Sequence, residues 1–280
     1  MAGDPRTPKP AAVLSVRDLA KNYRRKGPAW RPSEIVAAAC KVNFEVFAGR
    51  TLALVGDSGS GKSTVARCVT RLERPDAGRI WLDGTDIAQL DSSALRPFRR
   101  KMQMVFQDPI TSMNPRFSAA EVIEEPLLIQ GQGDKPARRE RAKELMQDVG
   151  LSPEWADRPA KQFSGGQQQR LAIARALALK PKVLVLDEAL SGLDLSTEAQ
   201  IVNLLLDLQS IHSIAYLLIS HDLALVARFA DTIAVMANGE IVEQGPTTQI
   251  IAAPSHPETL ALCTSTRIAQ EKLLQLGVAP

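Results

Sequence analysis

Gly56-Asp57-Ser58-Gly59-Ser60-Gly61-Lys62-Ser63-Thr64 constrains the fold of this 280-residue chain more than any other stretch. It satisfies the spacing G-x-x-x-x-G-K-[ST], which functions only between a strand and the start of a helix. Both flanks fit. Residues 51–55 are a short apolar run of buried-strand type, and within 61–72 the side chains of Val65, Ala66, Val69 and Leu72 fall on one helical face. The glycines let the backbone bend so that successive N–H groups point inward, and the helix start adds partial positive charge. Lys62 supplies a mobile charge for the outer phosphates of a nucleoside triphosphate, and the Ser63 hydroxyl can be offered to Mg²⁺. A flexible Gly/Ser turn would need neither the lysine nor the flanking elements.

Around this loop strand and helix patterns alternate, which predicts a mostly parallel sheet flanked by helices. Strands are expected at 13–16, 42–47, 51–55, 79–87 with a turn, 102–106, 183–186 and 215–219, and helices at 61–72, 197–209 and 223–229. Residues 233–244 read as a hairpin turning at Asn238-Gly239. From 118 to 178 no strand pattern occurs; 120–130, 135–149 and 167–179 all favour helix, giving a helical insertion over 108–179. The Pro-rich 1–10 reads as a disordered leader, 11–246 as one domain and 247–280 as a helical tail, with the basic 24–33 an exposed loop and the basic run 96–101 a solvated face.

Composition narrows the partners. A net charge of +3, with basic residues scattered among acids, argues against nucleic acid. Cys40, Cys68 and Cys263 are far apart and odd in number, which fits a reducing compartment better than a disulfide framework. The N-terminus lacks the apolar core of a secretory signal, and no run of about 18 uncharged apolar residues occurs, so membrane association is expected to come through a partner.

Two further clusters carry chemistry. The apolar run 183–186 ends in Asp187-Glu188, at the carboxyl end of an expected parallel strand, where ligands bind in such sheets. Asp187 would hold Mg²⁺ through water, leaving Glu188 to polarise an attacking water; the plainer reading is an acidic strand-ending turn. Ser164-Gly165-Gly166-Gln167 precedes a helical run through Leu171, Ala174, Arg175 and Ala178, so Ser164 is placed like an N-cap at a helix start that attracts anions. By itself this segment reads better as a plain helix cap with two glycines that permit close approach. His221, just past a strand end, would alone be a core or capping histidine.

Taken in chain order, Gly56 to Thr64, Gln107, Ser164 to Arg170, Asp187-Glu188, Ser191 to Asp194 and His221 resemble the ATPase module of ABC transporters, over residues 14–244. The resemblance implies an α/β fold: a P-loop NTPase core with a mostly parallel sheet, an antiparallel β subdomain and an inserted helical subdomain carrying the signature Ser164-Gly165-Gly166-Gln167. It implies ATP and Mg²⁺, and a dimer in which each signature serves the nucleotide on the other chain's loop. The nucleotide set is then Tyr23 stacking on adenine (Trp30 being the alternative in the same loop), Gly56, Asp57, Ser58, Gly59, Ser60, Gly61, Lys62, Ser63 and Thr64, with Ser164, Gly165, Gly166, Gln167 and the D-loop Asp194 reaching across the interface. Ser63, Gln107 and Asp187 are the implied metal set, and Glu188, His221 and Gln107 the implied catalytic set, His221 meeting the γ-phosphate. Phe163 replaces the usual leucine, Ala189 a proline and Gly192 an alanine; none of these exchanges removes a reactive group.

Residues 105–116, 187–200 and 255–261 are similar to the peptide/nickel-importer branch. That branch implies an importer of peptides or a related small solute such as nickel or an opine-like compound. It also implies a second ATPase chain, identical or paralogous, two integral membrane permease subunits, an extracytoplasmic solute-binding protein, and a peripheral place on the cytoplasmic face of the inner membrane. Cys263 is the one cysteine of the tail, so an iron–sulfur cluster held there is not expected. An exporter ATPase and a soluble non-transport ABC ATPase are the alternatives, the latter without the tandem cassettes or coiled-coil insertion usual for it. A P-loop kinase would explain the loop but neither the Ser164 motif nor His221.

Overall fold

Strand β3 (Thr51–Val55) is buried at every residue because both its long edges and both its faces are covered. In the computed structural model, which describes residues 11–25, 34–109 and 111–265, it pairs in parallel with β8 (Ala215–Ser220) on one side and β9 (Thr232–Ala237) on the other. The sheet continues through β7 (Val183–Asp187) to β6 (Met102–Val105), also parallel, and ends beyond β9 in the antiparallel β10 (Glu240–Pro246). Strands covered on both faces carry apolar residues without alternation, which is how 51–55, 183–187 and 215–220 read in the sequence.

Alternate residues of these strands face two separate cores. Ala53, Val55, Leu184, Leu186, Tyr216 and Leu218 pack against the helical insertion and the helices α6 (Leu195–His212) and α7 (Leu223–Phe229). Leu52, Leu54, Val183, Val185, Leu217 and Ile219 pack against α1 (Lys62–Val69) and a second, antiparallel sheet. That sheet runs β2-β1-β4-β5 from β1 (Ala12–Arg25), β2 (Glu34–Phe47), β4 (Ala77–Leu82) and β5 (Thr85–Asp86). Its first two strands extend well beyond the expected 13–16 and 42–47. Register shifts between Val16 and Lys21, with Asp18 and Lys41 both at φ 49, break the alternation by which a strand is recognised.

The basic run 96–101 is a solvated face as expected, with Arg96, Arg99 and Arg100 exposed, and it forms the second half of a helix not among those expected, α2 (Ser92–Lys101). Asp91 caps it by accepting from the N–H of Ser93 and Ala94 (2.9 Å each), and Arg99, Arg100 and Lys101 lie in the last turn, where the helix dipole favours cations. The insertion is helical as expected: α3 (Ala119–Ile129), α4 (Lys135–Asp148) and α5 (Gly165–Leu177), started by the side chains of Ser118, Asp134 and Ser164. The described residues end with α8 (Thr247–Ala252) and a helical stretch, α9 (257–265). Residues 1–10, the 26–33 part of the basic loop with Trp30, and 266–280 lie outside the described residues. Among the described residues no helix is long and apolar enough to cross a membrane.

Candidate active site

Parallel register brings the reactive groups to one edge. Val105 pairs with Leu186, Leu186 with Leu218, Asp187 with Ile219, and Val55 with Ser220. The residues that follow on each strand, Gln107, Glu188, His221 and Gly56, therefore leave the sheet side by side at its carboxyl edge, where parallel sheets bind ligands.

The loop after β3 is closely confined. Gly56 (φ 148) and Gly61 (φ 105) admit no side chain: a Cβ would stand 2.1 Å from the Met236 carbonyl oxygen and 1.9 Å from that of Ala38, respectively. Lys62 is 5% exposed and donates its Nζ protons to the carbonyls of Gly56 and Asp57 (2.7 Å each) and to Ser60 Oγ (3.2 Å). Burial lowers its pKa, while the nearby carboxylates of Glu188, Asp57 and Asp187 oppose that shift. Ser63 Oγ donates to Asp187 Oδ1 at 3.1 Å, and burial pushes the Asp187 carboxyl above its ordinary range against that hydrogen bond. A partly desolvated hydroxyl and carboxylate in contact form the hard oxygen set that suits Mg²⁺. Gln107 stands exposed at the end of the neighbouring strand.

Glu188 occupies the left-handed region at φ 49, a strained position for a non-glycine residue. Its N–H donates to the Ile219 carbonyl (3.1 Å), and its own carbonyl accepts from Ser191 N–H (3.0 Å) and Oγ (2.7 Å). Held so, its carboxylate Oε1 lies 3.7 Å from His221 Nδ1, in a cavity of ≈ 230 Å³ that Ser191, Gly192, Leu193 and Leu195 also line.

Tyr23 flanks the start of α1. Its hydroxyl donates to Glu73 Oε2, burial and that bond together raise its pKa against the opposing Thr64, and Lys21 Nζ lies 5.7 Å from the ring centroid. Lys21 is itself fixed on the Arg74 carbonyl (2.9 Å) and Asp76 Oδ1 (3.1 Å), which leaves a tethered ring 37% exposed.

The signature segment lies elsewhere on the surface. Ser164 Oγ accepts from the Gln167 N–H (3.4 Å) and Gln167 Oε1 from the Ser164 N–H (3.0 Å), a capping box at the start of α5. Phe163 is buried edge-on against Trp155 (centroids 6.0 Å apart), with the Arg158 guanidinium 4.9 Å from its ring. Ser164 and Gly165 are exposed, and among the described residues no hydrogen bond joins 164–167 to 56–64. Asp194 caps α6, accepting from Ser196 and Thr197 through both N–H and hydroxyl groups, which holds its carboxyl far below the ordinary range.

Residues 40–191 match the family model described as ABC transporter. The chain belongs to the ABC transporter family. Relatives agree over nearly its whole length. The "Probable peptide ABC transporter ATP-binding protein y4tS" of Sinorhizobium fredii is 47% identical over 95% of this chain and 76% of its own length. The "Dipeptide transport ATP-binding protein DppF" of Escherichia coli is 44% identical over 91% of this chain and 76% of its own length. Among solved structures, the dimeric post-hydrolysis state of the ATP-binding cassette MJ0796 bound to ADP and Pi is 31% identical with a TM-score of 0.74, covering 84% of this chain and 98% of that one. The chain is thus an ATP-binding ABC ATPase, of a family whose hydrolysis is coupled to transport.

Of the residues singled out in the sequence of this ABC ATPase, the fold gathers Gly56 to Thr64, Asp187, Glu188, His221 and Gln107 at one edge, with Tyr23 beside Thr64. Ser164 to Gln167 are not brought to that edge. Three neighbours were not legible beforehand: Glu73, which tethers Tyr23; Arg158, which packs on Phe163; and Glu258 on α9, which lines a cavity with the phosphate loop. Asp91-Ser92-Ser93 signals the start of α2; no local signal marks Glu73, and Glu258 lies in the 255–261 stretch with nothing to show that it meets the phosphate loop.

Proposed function

We propose that this chain is the ATP-hydrolysing subunit of a peptide importer, built around 11–246, and that two such cassettes close head to tail on ATP. One observation carries the dimer: a complete phosphate loop and its carboxylates share one edge, while the signature residues Ser164 and Gly165 face outward with no partner loop of their own. The signature would serve the nucleotide on the second chain, identical or paralogous. Tyr23 would stack on the adenine, Lys62 and the loop N–H groups would hold the β- and γ-phosphates, and Glu188 would orient the attacking water with His221 beside the γ-phosphate. Ser63 and Asp187, with Gln107 nearby, would hold Mg²⁺, which supplies charge neutralisation at the phosphates. Asp194 already caps α6, so its contribution would be to shape the 191–194 turn.

A groove supports docking to membrane subunits. Between β6 and the insertion lies a cavity of ≈ 300 Å³ lined by Leu72, Met104, Phe106, Ile129 and Arg175. Leu72, Leu128 and Ile129 are 53%, 60% and 61% exposed, an apolar fringe of the kind that marks a protein contact. A membrane subunit seated there would touch the segment that follows Gln107, place the chain on the cytoplasmic face of the inner membrane and receive solute from an extracytoplasmic binding protein. The names of the relatives favour peptides as that solute. The test is co-purification with integral membrane subunits followed by ATPase assay in vesicles: peptide-loaded binding protein should stimulate hydrolysis. Recovery with ribosomes or DNA in place of membrane subunits refutes transport, and stimulation by another solute refutes peptides.

A further inference from the structure

The tail motif Ser255-His256-Pro257-Glu258-Thr259-Leu260-Ala261 has no part in the mechanism above, yet it is built with care. Glu243 on β10 accepts hydrogen bonds from the N–H groups of Ser255 (2.9 Å) and His256 (3.0 Å). His256 Nδ1 accepts from the Glu258 N–H (3.2 Å), and Pro257 stands at the first helical position, where its missing N–H costs nothing. The start of α9 is thereby fixed against the sheet. One face of α9, Thr259 and Cys263, is 2% and 6% exposed. The adjacent face, Glu258 and Leu262 at the same i, i+4 spacing, lines a cavity of ≈ 260 Å³ whose other walls are the loop residues 56–60 and Met236, Ala237 and Asn238.

Among the described residues no lysine or arginine lines that cavity, and its second ionisable side chain is Asp57, another carboxylate. We propose that α9 is part of the nucleotide site and that Glu258 is a charge brake on it, a carboxylate set beside the phosphate loop that weakens ATP binding by repelling the phosphates. The inference rests on the reading that residues 56–64 hold those phosphates. Like charges separated by about the width of such a cavity interact through partly hydrated surroundings, so the effect is a few-fold change in affinity that salt screens. A partner that draws α9 away from the loop would release the brake and raise affinity without touching a reacting group.

The experiment is titration of the full chain with a fluorescent ATP analogue and Mg²⁺ at low and at high salt. Glu258→Gln should bind about threefold more tightly than the parent at low salt, with the gain shrinking at about 0.5 M salt. Glu258→Asp, which keeps the charge, should match the parent, and Glu140→Gln, which removes an exposed charge on α4, should bring no gain. The inference is overturned if Glu258→Gln binds with equal or weaker affinity, if its gain is indifferent to salt, or if Glu140→Gln tightens binding as much. Lys62→Ala separates the two levels: undiminished ATP binding by that variant refutes the phosphate-loop reading itself, whereas its loss with no response to Glu258→Gln refutes only the brake.

Discussion

Gly165 and Gly166 are neighbours with opposite surroundings, and replacing each by alanine separates a contact within the chain from one made to a second chain. A Cβ on Gly165, the first residue of α5, meets nothing within 4 Å; one on Gly166 stands 2.5 Å from Thr197 Cγ2. In Gly165→Ala the monomer gains a better helix former, worth up to about 1 kcal/mol, so its melting temperature should hold or rise by about 2 °C for a chain of this size. Gly166→Ala forces Thr197 to turn, which breaks the 2.7 Å bond from its Oγ1 to Asp194 Oδ2. Overpacking of that kind costs about 1–3 kcal/mol, a melting temperature lower by about 2–6 °C, and Thr197→Ser in the same chain should recover most of it. ATP binding by either monomer should be unchanged. Dimer formation on ATP, measured by light scattering in a Glu188→Gln background, should be weakened about tenfold or more by Gly165→Ala, since in the proposed dimer the added methyl would fall where the partner's nucleotide approaches. Parental dimerisation and hydrolysis by Gly165→Ala would refute the reading that this face of α5 meets a second chain.

Glu188→Gln should bind ATP as the parent does while hydrolysis falls by roughly 10²-fold or more, since catalysis here is positioning and electrostatics; a rate near the parent's in the presence of membrane subunits removes Glu188 from its place. Glu73→Ala frees the Tyr23 hydroxyl, and the ATP KM should rise about threefold with kcat unchanged, an effect that Tyr23→Ala should abolish if it acts through the ring. Gly61→Ala, whose Cβ would overlap the Ala38 carbonyl at 1.9 Å, should yield little folded protein. Asp83 accepts from Lys101 Nζ and Lys182 Nζ at 2.6 Å each, which holds its pKa below the ordinary range. Its stabilising effect is present above the usual Asp value of about 4 and is lost as the pH falls through the lowered one. Asp83→Asn should therefore melt about 2 °C lower at neutral pH, with the gap closing in acid; a gap that persists in acid refutes the ionic cause.

The strand–loop–helix from Thr51 to Val69 was readable because burial on both faces leaves an uninterrupted apolar run and the glycine spacing has a backbone reason. Asp187, Glu188 and His221 were readable for a related cause: each follows an apolar strand, and the strands prove to be parallel neighbours. Helix α2 escaped because Pro97 and a basic run mask it, and Leu95 is its one buried residue. Strands β1 and β2 were cut short by bulges at Asp18 and Lys41. Glu73 lies 50 residues from Tyr23, and Glu258 is further still from the loop it faces; contacts at such separation follow from how the sheets pack and leave no periodic trace.

The close approach of Gly166 to Thr197 also ties the first turn of α5 to the first turn of α6, and Arg170 Nη2 adds a bond to Gln200 Oε1 at 3.3 Å. Thr197 is anchored on Asp194, which ends the turn that begins at Glu188. In the proposed dimer, a shift in the 188–194 turn behind one nucleotide would be geared to the helix start offered to the other. Two catalytic sites assembled from such chains would exchange news of hydrolysis through one methyl packed on a glycine and one hydrogen bond beside it.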